Sequence, residues 1–240
     1  MPRFPISRQN INNNVAVISG SDYRHMTRVL RLKPGDDVIL FDAECYEHHG
    51  KIARIDSRQL TVEITASHRV NTDSPLNITL LQGMPKAGKM DYIIEKATEL
   101  GVHTIVPVIT ERSQVRASGK QKRWERIALE ASKQCGRTKP TVIENTLDFE
   151  DAINQYDSNS LGIIFHVNYD NSIKEFLRNT LQFPRNIIVL IGPEGGFSEH
   201  EVLLASNMGY TSLGLGPRTL RTETASLAVL SIIQFYHGDL

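Results

Sequence analysis

From residue 76 to its end the chain alternates short, almost unbroken apolar runs with longer amphipathic stretches, and this alternation restricts the fold more than any other feature. The runs are NITLLQG, HTIVPVI, TVIEN, LGIIFHV, NIIVLIG and YTSLGLG. Between or after them come KMDYIIEKATEL, KRWERIALEASKQC, SIKEFLRN, SEHEVLLASNM and TETASLAVLSIIQFY. A strand that is apolar at successive positions is buried on both faces, so it belongs to a sheet with helices on each side. Strands alternating with helices favour parallel pairing through helical crossovers. This part of the chain reads as α/β.

Residues 1 to 72 read differently. VAVIS, DDVILFD, GKIARI and LTVEIT are short β-branched or alternating runs separated by the turn signals KPGDD and DSRQ, the pattern of a small β-barrel. One helical patch, SDYRHMTRVLRL, interrupts them. Ser21 or Asp22 is placed to cap it, Met26, Val29 and Leu30 share a face, and Arg24, Arg28 and Arg31 fall on or near another. The polar, proline-containing VNTDSPLN marks a boundary, giving expected domains 1–72 and 73–240.

Composition excludes several classes. With 240 residues, 40% of them hydrophobic and 22% charged, the chain has the ordinary make-up of a globular protein with a sizeable core. MPRFPISRQN lacks a secretory apolar segment, and the longest apolar run, LAVLSIIQFY, is too short for a bilayer. A soluble, cytoplasmic protein with no membrane association is expected. Cys45 and Cys135 lie far apart without metal-ligand spacing, so they read as free thiols and no metal is expected.

The net charge of zero conceals a pattern: residues 84–140 hold 12 Lys/Arg against 6 Asp/Glu, and residues 141–240 hold 5 against 12. The basic block, with KQKRWER at 120–126, is either a face for a polyanion or the solvated side of a helix.

Two of the apolar runs end in glycine and proline just before a helix: IGPEGGFSEHE at 191–201 and LGLGPRTLRTETA at 213–225. Ligands of open parallel sheets bind beyond the carboxyl ends of the strands, where such loops lie. Gly192, Gly195 and Gly196 allow close backbone approach, Pro193 stiffens the turn, and SEHE is a capping signature with Ser198 as N-cap and Glu201 three residues on. The second break has G-x-G after a strand but Thr219 where a dinucleotide fingerprint needs its third glycine, and no Walker lysine follows. A nucleoside-like ligand held mainly by backbone remains.

IGPEGGFSEHE and LGPRTLRTETASLAVL, with KMDYIIEKATELGV and EASKQCGR, closely resemble the RsmE family of 16S ribosomal RNA uridine-N3 methyltransferases, of the SPOUT superfamily. HMTRVLRLKPGDDVILFD is similar to that family's PUA-like, RNA-binding β-barrel, so the resemblance runs the whole length. It implies a trefoil-knotted α/β methyltransferase domain, S-adenosylmethionine as cofactor, 16S ribosomal RNA within the small ribosomal subunit as partner, and a homodimer. By the same likeness three loops hold the cofactor: one near His166, one from Ile191 through Gly192, Pro193, Glu194 and Gly195 to Gly196, and one with Leu215, Gly216, Pro217, Leu220, Thr222, Thr224 and Ala225.

Removing the N3 proton of a uridine spreads negative charge over the flanking carbonyl oxygens. Arg221 is the first candidate to stabilise it, since a guanidinium presents a fixed fork of donors; alternatively it pairs with Glu223. Glu223 is either a general base or part of a helix start capped by Thr222. Glu194 either serves the cofactor or holds its own turn, and His166 is either a site residue or a strand-end histidine. Arg3, Arg28 and Arg31, with Arg112, Arg116, Lys120 and Arg123, are the expected RNA contacts. Trp124 either packs in a helix or stacks on a base. Two other classes stay open: a non-catalytic RNA-binding ribosome-assembly factor and a nicotinamide-dependent oxidoreductase.

Overall fold

In a computed structural model of the chain, the described residues are 1–42, 44–70, 72–86, 88–114, 119–154, 159–167, 171–180 and 183–240. They form two compact units, Met1–Asp73 with Ser132–Lys139, and Ser74–Ala131 with Pro140–Leu240.

The first unit is a six-stranded sheet of β1 (Arg3–Pro5), β2 (Ile11–Asn12), β3 (Val15–Ser19), β4 (Asp37–Phe41), β5 (Tyr46–Ile55) and β6 (Gln59–Arg69), with α1 (Gly20–Arg24) after β3. The strand order is β1-β4-β5-β6-β3-β2, antiparallel except for the β1–β4 pair. Alternation decides its faces: Leu60, Val62 and Ile64 of β6 point into a core with Phe4, Ile18, Met26, Leu40 and Ile52. The short β1 escapes a pattern-based reading because three residues carry no period.

The helical patch departs from expectation. Ser19, not Ser21 or Asp22, is the N-cap of α1, without a side-chain hydrogen bond. A π-helical turn, His25–Val29, follows, closed by the Leu30 amide donating to the His25 carbonyl. The wider turn rotates later residues off the helical face, so Met26 is buried while Val29 and Leu30 are 69% and 42% exposed.

The second unit runs β7 (Asn77–Gly83), α2 (Lys89–Glu99), β8 (Thr104–Ile109), α3 (Gln121–Cys135, its last residues counted with the first unit), β9 (Val142–Ile143), β10 (Leu147–Asp148), α4 (Phe149–Asn154), β11 (Leu161–Phe165), α5 (Ile173–Asn179), β12 (Asn186–Ile191), α6 (Glu199–Asn207), β13 (Thr211–Leu213) and α7 (Thr222–His237). All strand pairs are parallel, in the order β10-β8-β7-β12-β11-β13, with β9 beside β8. Both faces are covered. Ile78 and Leu80 of β7 meet α2, α3, α5 and α7 through Ile93, Trp124, Leu177 and Val229, whereas Leu81 meets Phe149, Ala152 and Val202 of α4 and α6. Trp124 is 2% exposed and donates its indole N–H to Asp91, which settles its role as packing.

The sheet order positions the site. β12 lies on one side of β11 and β13 on the other, so the chain reverses direction across the sheet between them. From β13 the segment 214–221 then returns past the ends of β11 and β12 to start α7 beside β7, where the Thr222 hydroxyl meets Gln82 and Gly192. A crevice forms where neighbouring connections diverge in this way. Among the described residues no helix is long and apolar enough to cross a membrane.

Candidate active site

The carboxyl ends of β11, β12 and β13 open into a cavity of about 330 Å³. Its walls are Phe165, His166 and Val167 at the end of β11 and just beyond it, Ile191 to Glu194 and Gly196 at the end of β12 and beyond, and Leu215 to Thr222 with Ala225 from the return segment and α7. The three expected loops thus converge. Gly195 and Thr224 do not line it: the Gly195 carbonyl turns to Arg112, whose Nη1 donates to it at 3.0 Å, and Thr224 is exposed on α7. Phe165, Val167, Arg218 and Thr219 also line it, beyond the residues the sequence motifs indicate. For Arg218 and Thr219 the signal was their place inside the second glycine break.

Local chemistry explains the loop shapes. Gly196 and Gly216 sit at φ +69° and +95°, where a side chain would be strained. The Gly196 amide closes the first turn on the Pro193 carbonyl at 2.9 Å. Ser198 and Glu201 form the expected capping box. The Glu201 carboxylate, 2% exposed, also accepts from the Glu111 amide at 2.9 Å and so ties the segment after β8 to the start of α6.

Beneath the cavity lies a buried polar network. Gln82 Nε2 donates to the Thr222 hydroxyl at 3.0 Å, Thr222 donates to the Gly192 carbonyl at 2.6 Å, and Ser226 donates to Gln82 Oε1 at 2.5 Å. Gln82 and Ser226 are fully buried, where an unmade hydrogen bond is costly, so the network fixes the end of β12 against the start of α7. Thr222 is therefore not the N-cap of α7. Arg221 takes that position in extended geometry, without a side-chain cap, because the Thr222 hydroxyl is engaged below the cavity.

Glu223 does lie in the first turn of α7, with Arg221 rather than Thr222 as the cap ahead of it. Its Oε2 lies 3.1 Å from Lys89 Nζ, which is also 2.9 Å from Glu194 Oε1. Both Glu194 oxygens further accept from the Lys86 amide at 3.2 Å. Partial burial pushes both carboxyl pKa values up, but this is outweighed: for Glu194 by Lys89 and the backbone amides, for Glu223 by its own amide, Lys89 and Arg221. Both end below the ordinary 4.5, and Lys89 is raised above 10.5, chiefly by Glu194 and then Glu223. The carboxylate contribution is therefore present above pH 4.5 and lost as pH falls through the lowered values; the lysine contribution is present below 10.5 and lost as pH rises through the raised one. A carboxyl group held low is also a weak base.

Arg221 is exposed, lines the cavity and, among the described residues, has no ion-pair partner; Glu223 has Lys89 instead. His166 follows β11, its amide donating to the Leu213 carbonyl at 3.1 Å, and it lines the same cavity. The expected RNA contacts separate into kinds. Arg28 and Arg31 are exposed, Arg31 at φ +54°. Arg3 is tied inside its unit: its side chain is 16% exposed, pairs with Glu47 at 2.5 Å, donates to the Gly136 carbonyl and lies over the Phe41 ring. Arg123 pairs with Asp91 at 2.6 Å while 59% exposed, and Lys120 is exposed ahead of α3. Arg116 lies outside the described residues.

A parallel α/β unit with a ligand-sized cavity at the strand-order reversal, in a chain that also folds a small β-rich unit, defines a class that comparison makes specific. The family model of an RNA methyltransferase domain matches residues 72–234, and that of an RNA methyltransferase PUA domain matches residues 18–65. Ribosomal RNA small subunit methyltransferase E of Buchnera aphidicola subsp. Acyrthosiphon pisum is 32% identical, covering 100% of this chain and 95% of its own. The protein of the same name from Bacillus subtilis is 29% identical over 91% of this chain and 89% of its own. The crystal structure of ribosomal RNA small subunit methyltransferase E from Neisseria gonorrhoeae bound to S-adenosyl methionine superposes with a TM-score of 0.89 at 31% identity, covering 100% of this chain and 99% of that one. The chain belongs to the RNA methyltransferase domain family and, within it, to the RsmE family of small-subunit methyltransferases.

Proposed function

We propose that the chain transfers a methyl group from S-adenosylmethionine to N3 of one particular uridine in the 16S RNA of the small ribosomal subunit. The observation that carries this reading is the cavity itself: both glycine breaks and the end of β11 meet there, with Arg221 in its wall. The chemistry of the walls fits the cofactor. Phe165, Ile191, Leu215, Leu220 and Ala225 offer apolar surface for a purine, the glycine breaks offer backbone groups for its polar edges, and Glu194 offers a carboxylate near a cation. When bound, S-adenosylmethionine supplies an activated methyl group on sulfur.

The chain's own work is then positioning and electrostatics. Arg221 stabilises the negative charge that appears on the uracil oxygens as the N3 proton leaves. Glu223, held low and paired with Lys89, serves better as a partner for the lysine than as a base. The target base must be unpaired, because N3 is its Watson–Crick donor. Arg28, Arg31, Arg112, Lys120 and Arg123 supply phosphate contacts, with Arg112 also joined to the first glycine loop.

The return of residues 214–221 past the sheet ends supports a knotted path. Phe235 and Leu240, 71% and 61% exposed near the end of the chain, support association with a second copy. The working compartment is the cytoplasm, where small subunits are assembled.

Calorimetric titration with S-adenosylmethionine tests the reading. Saturable binding of one cofactor per chain, with no heat from NADH, is the expected result. Folded protein that takes up neither would favour an assembly factor without catalysis. Arg28→Ala should weaken binding to small-subunit RNA and flatten the plot of log affinity against log salt by roughly 0.7–0.9. An unchanged slope removes Arg28 from the phosphate contacts.

A further inference from the structure

The segment from the last residue of β7 to the first of α2 carries none of the glycine breaks and none of the expected site residues, yet it reaches both loops of the cavity. Gly83 packs so closely on the first break that a Cβ there would stand 2.6 Å from Pro193 Cδ. The Lys86 amide lies 3.2 Å from both oxygens of Glu194. Gly88, at φ +81°, turns the chain into α2, and the first residue of that helix is Lys89. Its ammonium stands 2.9 Å from Glu194 and 3.1 Å from Glu223.

Glu194 sits in the loop after β12 and Glu223 in the first turn of α7, elements joined by the buried Gln82 network and by this surface pair. Two carboxylates gathered around one point repel; a cation between them turns that repulsion into a tie. We propose that Lys89 is a positioning residue for the cofactor cavity, holding the first glycine loop and the start of α7 at the separation that forms the cavity. This inference rests on the proposed function. Lys89 does not line the cavity, so it acts through Glu194 and Glu223 rather than on the cofactor. Lys96 of the same helix supplies an internal comparison. It pairs with Glu95 and Glu99, both at 2.8 Å, and neither carboxylate belongs to a cavity loop.

The test is calorimetric titration of the full chain with S-adenosylmethionine, beside steady-state methyl transfer to small subunits. Lys89→Met should weaken cofactor binding about fivefold, the scale of two partly exposed ion pairs. Turnover at saturating cofactor should stay within about twofold of wild type, because the chemical step is not touched. Lys89→Arg should restore affinity, since a guanidinium can bridge two carboxylates. Lys96→Ala should leave affinity unchanged. Glu223→Gln should weaken binding alone but add little on top of Lys89→Met, as expected of residues acting as one pair.

Wild-type affinity in Lys89→Met, or an equal loss in Lys96→Ala, overturns the inference while leaving the function intact. Additive losses in the Glu223→Gln cycle overturn it as well. A wild-type chain that binds no S-adenosylmethionine overturns both.

Discussion

Arg221→Ala is expected to cut methyl transfer by about a hundredfold to a thousandfold, the effect of losing a transition-state donor worth about 2.7–4 kcal/mol. Three observations make the guanidinium available for this task. It lines the cavity, it is exposed, and the carboxylate best placed to neutralise it, Glu223, is paired with Lys89 instead. Its backbone fixes the approach: Arg221 is the N-cap of α7, its carbonyl accepting from the Ala225 amide at 2.8 Å, and Thr222 next to it is anchored on Gly192 and Gln82. The loss should fall on turnover rather than on cofactor binding, because a donor engaged only by the developing anion adds nothing to the ground state. Arg221→Lys should be intermediate, keeping charge without the planar fork. Single-turnover transfer with saturating subunits and cofactor reads this directly. Wild-type rates in Arg221→Ala would remove the residue from the mechanism.

Gly83→Ala should destabilise the second unit and its cavity together. The added carbon would stand 2.6 Å from Pro193 Cδ, 2.7 Å from the Pro193 nitrogen and 2.9 Å from the Gly192 carbonyl carbon. None of these atoms belongs to a flexible side chain that can swing away. The strands carrying them are hydrogen-bonded neighbours, with Gln82 opposite Ile191, so relief must come from shifting the glycine loop. Overpacking of this kind costs about 1–3 kcal/mol, visible as a lower urea midpoint. The same displacement moves the cavity wall, so S-adenosylmethionine binding should weaken in parallel. An unchanged midpoint with unchanged cofactor affinity would show that the contact is loose and that the first break is not held from below.

Features set by local pattern were legible in the sequence. The runs now seen as β7, β8, β11 and β12 stood out because burial on both faces leaves no polar alternation. SEHE announced its capping box because both partners lie within four residues. YTSLGLG reads as a longer strand than β13, which stops at Leu213 because the chain must leave the sheet edge to return across it. α4 escapes a reading by periodicity, because six residues give too little period to register. The site was legible as loops and not as contacts. Thr222 looked like a cap from its neighbours, but its hydroxyl is committed to Gln82, 140 residues away in sequence. Arg3 looked like a free charge near the terminus, but folding brings it to Glu47 and Phe41. Lys89 gave no signal because both of its partners lie more than 100 residues downstream. Pairings of that range follow from the strand order, which sequence periodicity does not encode.

The most direct test of the account uses small ribosomal subunits from cells that lack this protein, incubated with the purified chain and methyl-labelled S-adenosylmethionine. The RNA is then digested and its nucleosides are identified by mass spectrometry. The account predicts label in 3-methyluridine at a single position of the 16S RNA. Label in another nucleoside, or none from protein shown to bind the cofactor, would contradict it.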